Sequence, residues 1–137
     1  MGIVVSDIDK SLEFYGGLLG LKIQKDMLEQ GAHLDNMLAL QGVRVRTVKM
    51  GADDGNLVEL LWYASHPRTR EHANEICEIG ASHVAFTVEN LDEEYARLRE
   101  RGVRFNSSPQ ESPDGKAKVA FCQDPDGTFI ELVEMLA

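Results

Sequence analysis

The feature that most constrains this chain is an internal repeat. Residues 2–23, "GIVVSDIDKSLEFYGGLLGLKI", and residues 82–105, "SHVAFTVENLDEEYARLRERGVRF", follow one plan. Each has a short apolar strand, an Asx-rich cap, an amphipathic helix, a glycine stop and a new strand. Asp7-Ile8-Asp9 matches Asn90-Leu91-Asp92, and Gly20-Leu21-Lys22 matches Gly102-Val103-Arg104. Further on, "NLVELLWY" (56–63) matches "TFIELVEM" (128–135) and aligns Glu59 with Glu131. Between these lie candidate strands at about 43–50, "VRVRTVKM", and about 116–122, "KAKVAFC". Each half therefore reads strand, helix, strand, strand, strand. Two such copies are too few for a solenoid and fit one duplicated α+β domain of two βαβββ modules. Module 1 covers about 1–63, module 2 about 81–137. The polar stretch 64–80, part of it expected to be helical, links them.

Local signals support the helices. Ser6 or Asp7 can cap the first, whose apolar stripe is Ile8, Leu12, Tyr15 and Leu19. Asn90 caps the second, with Glu93 three residues on as in a capping box and Leu91, Tyr95 and Leu98 as the stripe. "GADDG" (51–55) and "DPDG" (124–127) are turns by composition.

The chain carries 14 Lys and Arg against 23 Asp and Glu, a net charge of −9, which argues against nucleic acid as a partner. No apolar run reaches the ~20 residues of a membrane span, and the chain opens without a basic, apolar signal segment. Cys77 and Cys122 are far apart and form no CxxC; they read as reduced core thiols of a cytoplasmic protein.

Strand alternation gathers the residues that carry chemistry. Leu57, Glu59 and Leu61 share a face, as do Phe129, Glu131 and Val133. Ile130 and Leu132 point the other way, toward the helices. His83, Ala85 and Thr87 form one face of their strand, with Val84, Phe86 and Val88 on the helix side. Each module thus sets one glutamate in an otherwise apolar strand, and a buried carboxylate needs a partner. That partner is either a metal, which carboxylate and imidazole ligands suit, or a salt bridge. Arg44, Arg46 and Val48 share a face from which an arginine can meet a substrate carboxylate, unless that face is solvated. His33 reads as a loop histidine, and Trp62 as core or interface. His66 and His72 fall in the linker without an assigned role.

The stretches quoted above, taken together, resemble the vicinal oxygen chelate superfamily, which includes glyoxalase I, methylmalonyl-CoA epimerase, extradiol dioxygenases and bleomycin-resistance proteins. The resemblance covers nearly the whole chain and is nearest to glyoxalase I-like proteins. It implies that the two βαβββ modules form one incomplete β-barrel around a divalent metal (Zn, Ni, Co, Fe or Mn). Family ligands come from the first and last strands of each module, so the implied metal ligands here are Glu59, His83 and Glu131. The implied reaction is that of a lyase or isomerase that stabilises a chelated enolate of a small oxygenated substrate. Glu131 is the implied base, and Glu59 a ligand or second base. An extradiol-type dioxygenase and a non-catalytic bleomycin-resistance-type binding protein are the alternatives, and a homodimer is the implied assembly.

Two positions depart from bacterial glyoxalase I. Val4 stands where that enzyme has an arginine, and Tyr63 where it has an asparagine that helps hold glutathione. The family's fourth ligand, a histidine equivalent to His83, would fall immediately before Met1. Three readings of this gap stand open. The natural chain starts upstream; three ligands suffice, with water or the α-amino group at the fourth position; or the site only binds a ligand.

Overall fold

A computed structural model describes residues 1–137. It has two compact units, Met1–Glu71 and His72–Ala137. In the first, β1 (Gly2–Val4) leads into α1 (Ile8–Leu12), which continues as a π-helical stretch over Glu13–Leu18. Then come β2 (Lys22–Gln30), α2 (Ala32–Leu38), β3 (Arg44–Gly51) and β4 (Leu57–Tyr63). The second unit holds β5 (His83–Thr87), α3 (Leu91–Glu100), β6 (Gln110–Glu111), β7 (Ala117–Gln123) and β8 (Phe129–Met135). The sheet orders are β1-β4-β3-β2 and β5-β8-β7-β6. In each sheet the first strand runs parallel to its neighbour and the other pairs are antiparallel. The repeat is therefore one of topology, and the fold is α+β.

The caps stand where the composition puts them. Asp7 is extended and its Oδ1 accepts the Lys10 N–H at 3.1 Å. Asn90 does the same for the Glu93 N–H at 3.2 Å. Gly20 and Gly102 end the helices at φ +78° and +85°, a conformation that glycine adopts without steric cost.

The first helix departs from a regular stripe. The Leu19 N–H reaches back to the Phe14 carbonyl at 3.0 Å, a π-type bond, and both Phe14 and Tyr15 are buried while Leu12 and Leu19 are only half-buried. Gly16 and Gly17 weaken α-helical propensity there. A Cβ on Gly16 would lie 3.2 Å from the Met50 methyl, so its absence lets the widened helix approach β3.

Helix-facing residues form the core. In the first unit Val48, Met50, Val58 and Leu60 are buried with Ile3, Ile8 and Tyr15; in the second, Ala120, Cys122, Ile130 and Leu132 are buried with Leu91 and Leu98. The first unit has a second cluster on the opposite sheet face. There Leu34 of α2 packs with Val43 and Val45, flanked by Leu61 and Tyr63.

Three expectations change. Residues 64–80 form turns and no helix. The strand after Gly102 shrinks to a single bridge, Phe105 with Cys122, and the two-residue β6, whereas β2 runs for nine residues. The intervening Asn106-Ser107-Ser108-Pro109 favours turns, and proline has no N–H for a ladder. Cys122 is buried, and burial pushes its thiol up to about 12, but Cys77 is exposed and is not a core thiol. No helix is long and apolar enough to cross a membrane.

Candidate functional site

Strand register decides what each glutamate faces. In the second sheet Glu131 lies opposite Ala85 on one side and Phe121 on the other. His83, two residues before Ala85, points to the same face. Its Nε2 is 3.1 Å from Glu131 Oε2, and the two form a hydrogen bond. The His83 ring meets Phe121 edge-on, with centroids 5.2 Å apart and planes at 80°. This face is open: His83 is 42% and Glu131 24% exposed at the side chain. The opposite face carries Ile130 and Leu132, both fully packed. Alternation along β8 therefore places one carboxylate on an accessible, mostly apolar surface while its neighbours build the core.

In the first sheet Glu59 takes the matching place. It lies opposite Gly2 on β1 and Lys49 on β3. Gly2 corresponds to Ala85, Lys49 to Phe121 and Glu59 to Glu131, so the register reproduces the repeat. The contacts differ. Lys49 Nζ is 4.0 Å from Glu59 Oε2, both half exposed. The Met1 amino group donates to the Leu57 carbonyl at 3.1 Å.

The second unit brings two donors of metal-ligating type within reach of each other. Two ligands bound at ~2.1 Å and separated by 90–110° lie roughly 3.0–3.4 Å apart, the range in which the His83–Glu131 contact falls. Neutral imidazole and carboxylate suit zinc, nickel, cobalt, iron or manganese. Within either unit, no three His, Cys, Asp or Glu side chains converge on one point. The structure thus brings His83 and Glu131 together, and Glu59 belongs to the first unit.

The arginines of β3 do not share the face of Glu59. By register, Arg44 and Arg46 lie with Val48 and Leu60 on the opposite, helix-side face. Arg46 donates to Asp26 from Nε at 3.0 Å and from a terminal nitrogen at 2.8 Å. This pairing holds the Asp26 carboxyl below its ordinary value and raises the guanidinium. Arg46 is thus engaged within its own sheet, although its spacing along β3 left it open as a substrate anchor. His33 lies exposed in α2 rather than in a loop, and His72 sits 3.5 Å from Glu78. Phe121 and Lys49, the partners that distinguish the two glutamates, went unmarked in the sequence. Aligning β7 with β3 through the repeat is the signal that finds them.

Comparison with known proteins identifies the family and the fold. The model of the Glyoxalase/Bleomycin resistance protein/Dioxygenase superfamily matches residues 1–132. A lactoylglutathione lyase of Schizosaccharomyces pombe is 32% identical over 138 residues, which cover 96% of this chain and 45% of that protein. The chain thus spans about half the length of that relative. A probable lactoylglutathione lyase of Synechocystis is 29% identical over 133 residues, covering 96% of this chain and 90% of the relative. Among solved structures, a glyoxalase family protein of Bacillus cereus superposes with a TM-score of 0.89 at 24% identity, covering 100% of this chain and 92% of the other. The trypanothione-dependent glyoxalase I of Leishmania major gives 0.66 at 25% identity, covering 98% and 83%.

Proposed function

The chain belongs to the Glyoxalase/Bleomycin resistance protein/Dioxygenase superfamily, and from that premise we propose that it is a metal-dependent lyase or isomerase of the glyoxalase type. The observation that carries this reading is the His83–Glu131 contact at 3.1 Å on an open sheet face. His83 and Glu131 would hold the metal in the second module, and Glu59, equivalent to Glu131, would take the ligand role in the first. When bound, the metal supplies Lewis-acid stabilisation of negative charge on the substrate oxygens.

The remaining work falls to the chain's own groups. The Glu131 carboxylate takes a proton from the carbon beside the substrate's carbonyl or hydroxyl and returns it to the neighbouring carbon. The edge-on contact with Phe121 orients the His83 ring, whose Nε2 meets Glu131. Val4 and Tyr63 replace the arginine and asparagine of bacterial glyoxalase I, which makes glutathione a poor thiol for this site. The same family reading carries a homodimer, which light scattering tests.

Elemental mass spectrometry on the full chain, purified without chelator and loaded with zinc, nickel or cobalt, tests the reading. A stoichiometry of about 1 metal per chain is expected, lost in Glu131→Gln and His83→Ala and kept in Thr87→Val. The hemithioacetal of methylglyoxal with small thiols is the first substrate to try. Metal content indifferent to both ligand variants overturns the proposal. So does an iron(II) protein that consumes O₂ with catechols, which is dioxygenase chemistry.

A further inference from the structure

We infer that a cavity of about 210 Å³ at the ends of β1 and β4 is a binding site for a small ring-bearing carboxylate. It lies wholly in the first unit and concerns binding alone, so it stands whether or not a metal reaction takes place. Val4, Leu40, Trp62, Tyr63 and Pro67 form its walls, and His66 and Arg68 also line it. Trp62, which the sequence suggested as core or interface, is half-buried and lines this space.

The frame is fixed by hydrogen bonds. The Arg44 N–H donates to Ser65 Oγ at 2.7 Å, and the His66 N–H donates to the Tyr63 carbonyl at 3.2 Å. Ser65 Oγ also lies 2.8 Å from His66 Nδ1. That contact occupies one ring nitrogen and leaves Nε2 as the one for a ligand. The turn that carries His66 and Pro67 is therefore tied to both β3 and β4 before anything binds, which lowers the ordering cost of binding.

Charge sets the class of occupant. Arg68 donates to the Pro67 carbonyl at 3.0 Å and takes part in no ion pair. Its other guanidinium donors match a carboxylate in fork geometry. An arginine without a carboxylate partner beside an apolar hollow fits an acid better than a neutral ligand. Aromatic residues in the lining favour a flat ring by stacking or edge contact. The volume is below the ~300–1,000 Å³ of drug-sized sites, which restricts the occupant to a single ring with a short acid arm.

Trp62 is the chain's sole tryptophan, so its emission reports this cavity. The full chain would be titrated with phenylacetate, and with acetate and benzyl alcohol as its separate halves. The expected result is a saturable change with phenylacetate, at a Kd at least ~10-fold below that of either half. Arg68→Gln, at an exposed position, should weaken phenylacetate by ~10-fold and leave benzyl alcohol unchanged. Leu40→Phe, which fills the hollow, should abolish the response. The inference is overturned if phenylacetate produces no saturable change, if it binds no better than benzyl alcohol, if Arg68→Gln has no effect, or if Leu40→Phe leaves the affinity intact.

Discussion

Glu59 and Glu131 stand at the same point of two sheets with the same strand order, yet they keep different company. Across the antiparallel ladder Glu59 faces Lys49, while Glu131 faces Phe121. Lys49 offers a positive charge at 4.0 Å, beyond hydrogen-bond reach and on a half-exposed face. Phe121 offers no charge, and Glu131 is met by His83 at 3.1 Å. The surroundings differ as well. In the first unit α2 lays Leu34 over Val45, Leu61 and Tyr63 on the glutamate's own face. The corresponding stretch of the second unit has only β6 and turns. A duplicated backbone has thus been kept while the neighbours changed: α2 packs beside the glutamate in the first unit only, yet Glu59 and Glu131 stay 35% and 24% exposed at the side chain. The two copies of a site can diverge by changing cross-strand neighbours alone.

The sharpest test of equal scaffolding is the core. Leu60 and Leu132 occupy matching positions and are 0% and 1% exposed. Leu60→Ala and Leu132→Ala should each cost about 2–5 kcal/mol in urea unfolding, from lost burial and the cavity left behind. A loss under ~1 kcal/mol in one module only would show that its core yields, and that the modules are not equivalent in packing. The caps form the next pair. Asp7→Ala and Asn90→Ala each remove an acceptor from a first-turn N–H and should cost ~1 kcal/mol. Unequal losses would show that the π-helical first element depends on its cap differently from regular α3.

A smaller effect belongs to the first unit alone. The Asp35 carboxylate accepts the Gly42 and Val43 N–H groups, both at 2.9 Å, and so closes the loop between α2 and β3. Those bonds, the Val43 bond first, hold its pKa below the ordinary 3.8. A depressed folded pKa contributes stability that is present above 3.8 and lost as pH falls through the folded value. The difference in melting temperature between the chain and Asp35→Asn should therefore be constant near neutrality and shrink in acid below that pH. A difference independent of pH would assign the effect to shape rather than charge.

Much of this could be read from the sequence because period and repeat are local properties. Alternation separated Glu131 from Ile130 and Leu132, and Asn90 and Gly102 bracket α3 as capping chemistry predicts. What escaped depends on pairing across strands. That Arg46 is engaged by Asp26, on the face away from Glu59, follows only from the register between β2, β3 and β4. The π-helical stretch over Glu13–Leu18 escaped for another reason. The stripe of Ile8, Leu12, Tyr15 and Leu19 fits a regular helix, and only the close approach of Gly16 to Met50 shows why the turn widens. The Trp62 cavity needed a third dimension too, since Leu40 and Arg68 come from segments without periodicity.

The smallest change in stability should carry the largest lesson about the two glutamates. Lys49 and Glu59 are 36% and 35% exposed at the side chain. A surface pair of this kind is worth ~0–1 kcal/mol, so Lys49→Phe should barely move the unfolding midpoint. It would nevertheless give Glu59 the cross-strand neighbour that Glu131 has. A histidine inserted immediately ahead of Met1 would stand two residues before Gly2, as His83 stands before Ala85. Combining both changes in a His83→Ala, Glu131→Gln background removes the pair of the second unit and rebuilds it in the first. Cobalt(II) absorption, which reports ligand number directly, should return in that protein and disappear again with Glu59→Gln. If register and neighbours are the whole difference between the modules, the rebuilt pair binds. If cobalt does not return, α2 or the twist of the first sheet has closed the first module to metal, and the divergence runs deeper than two side chains.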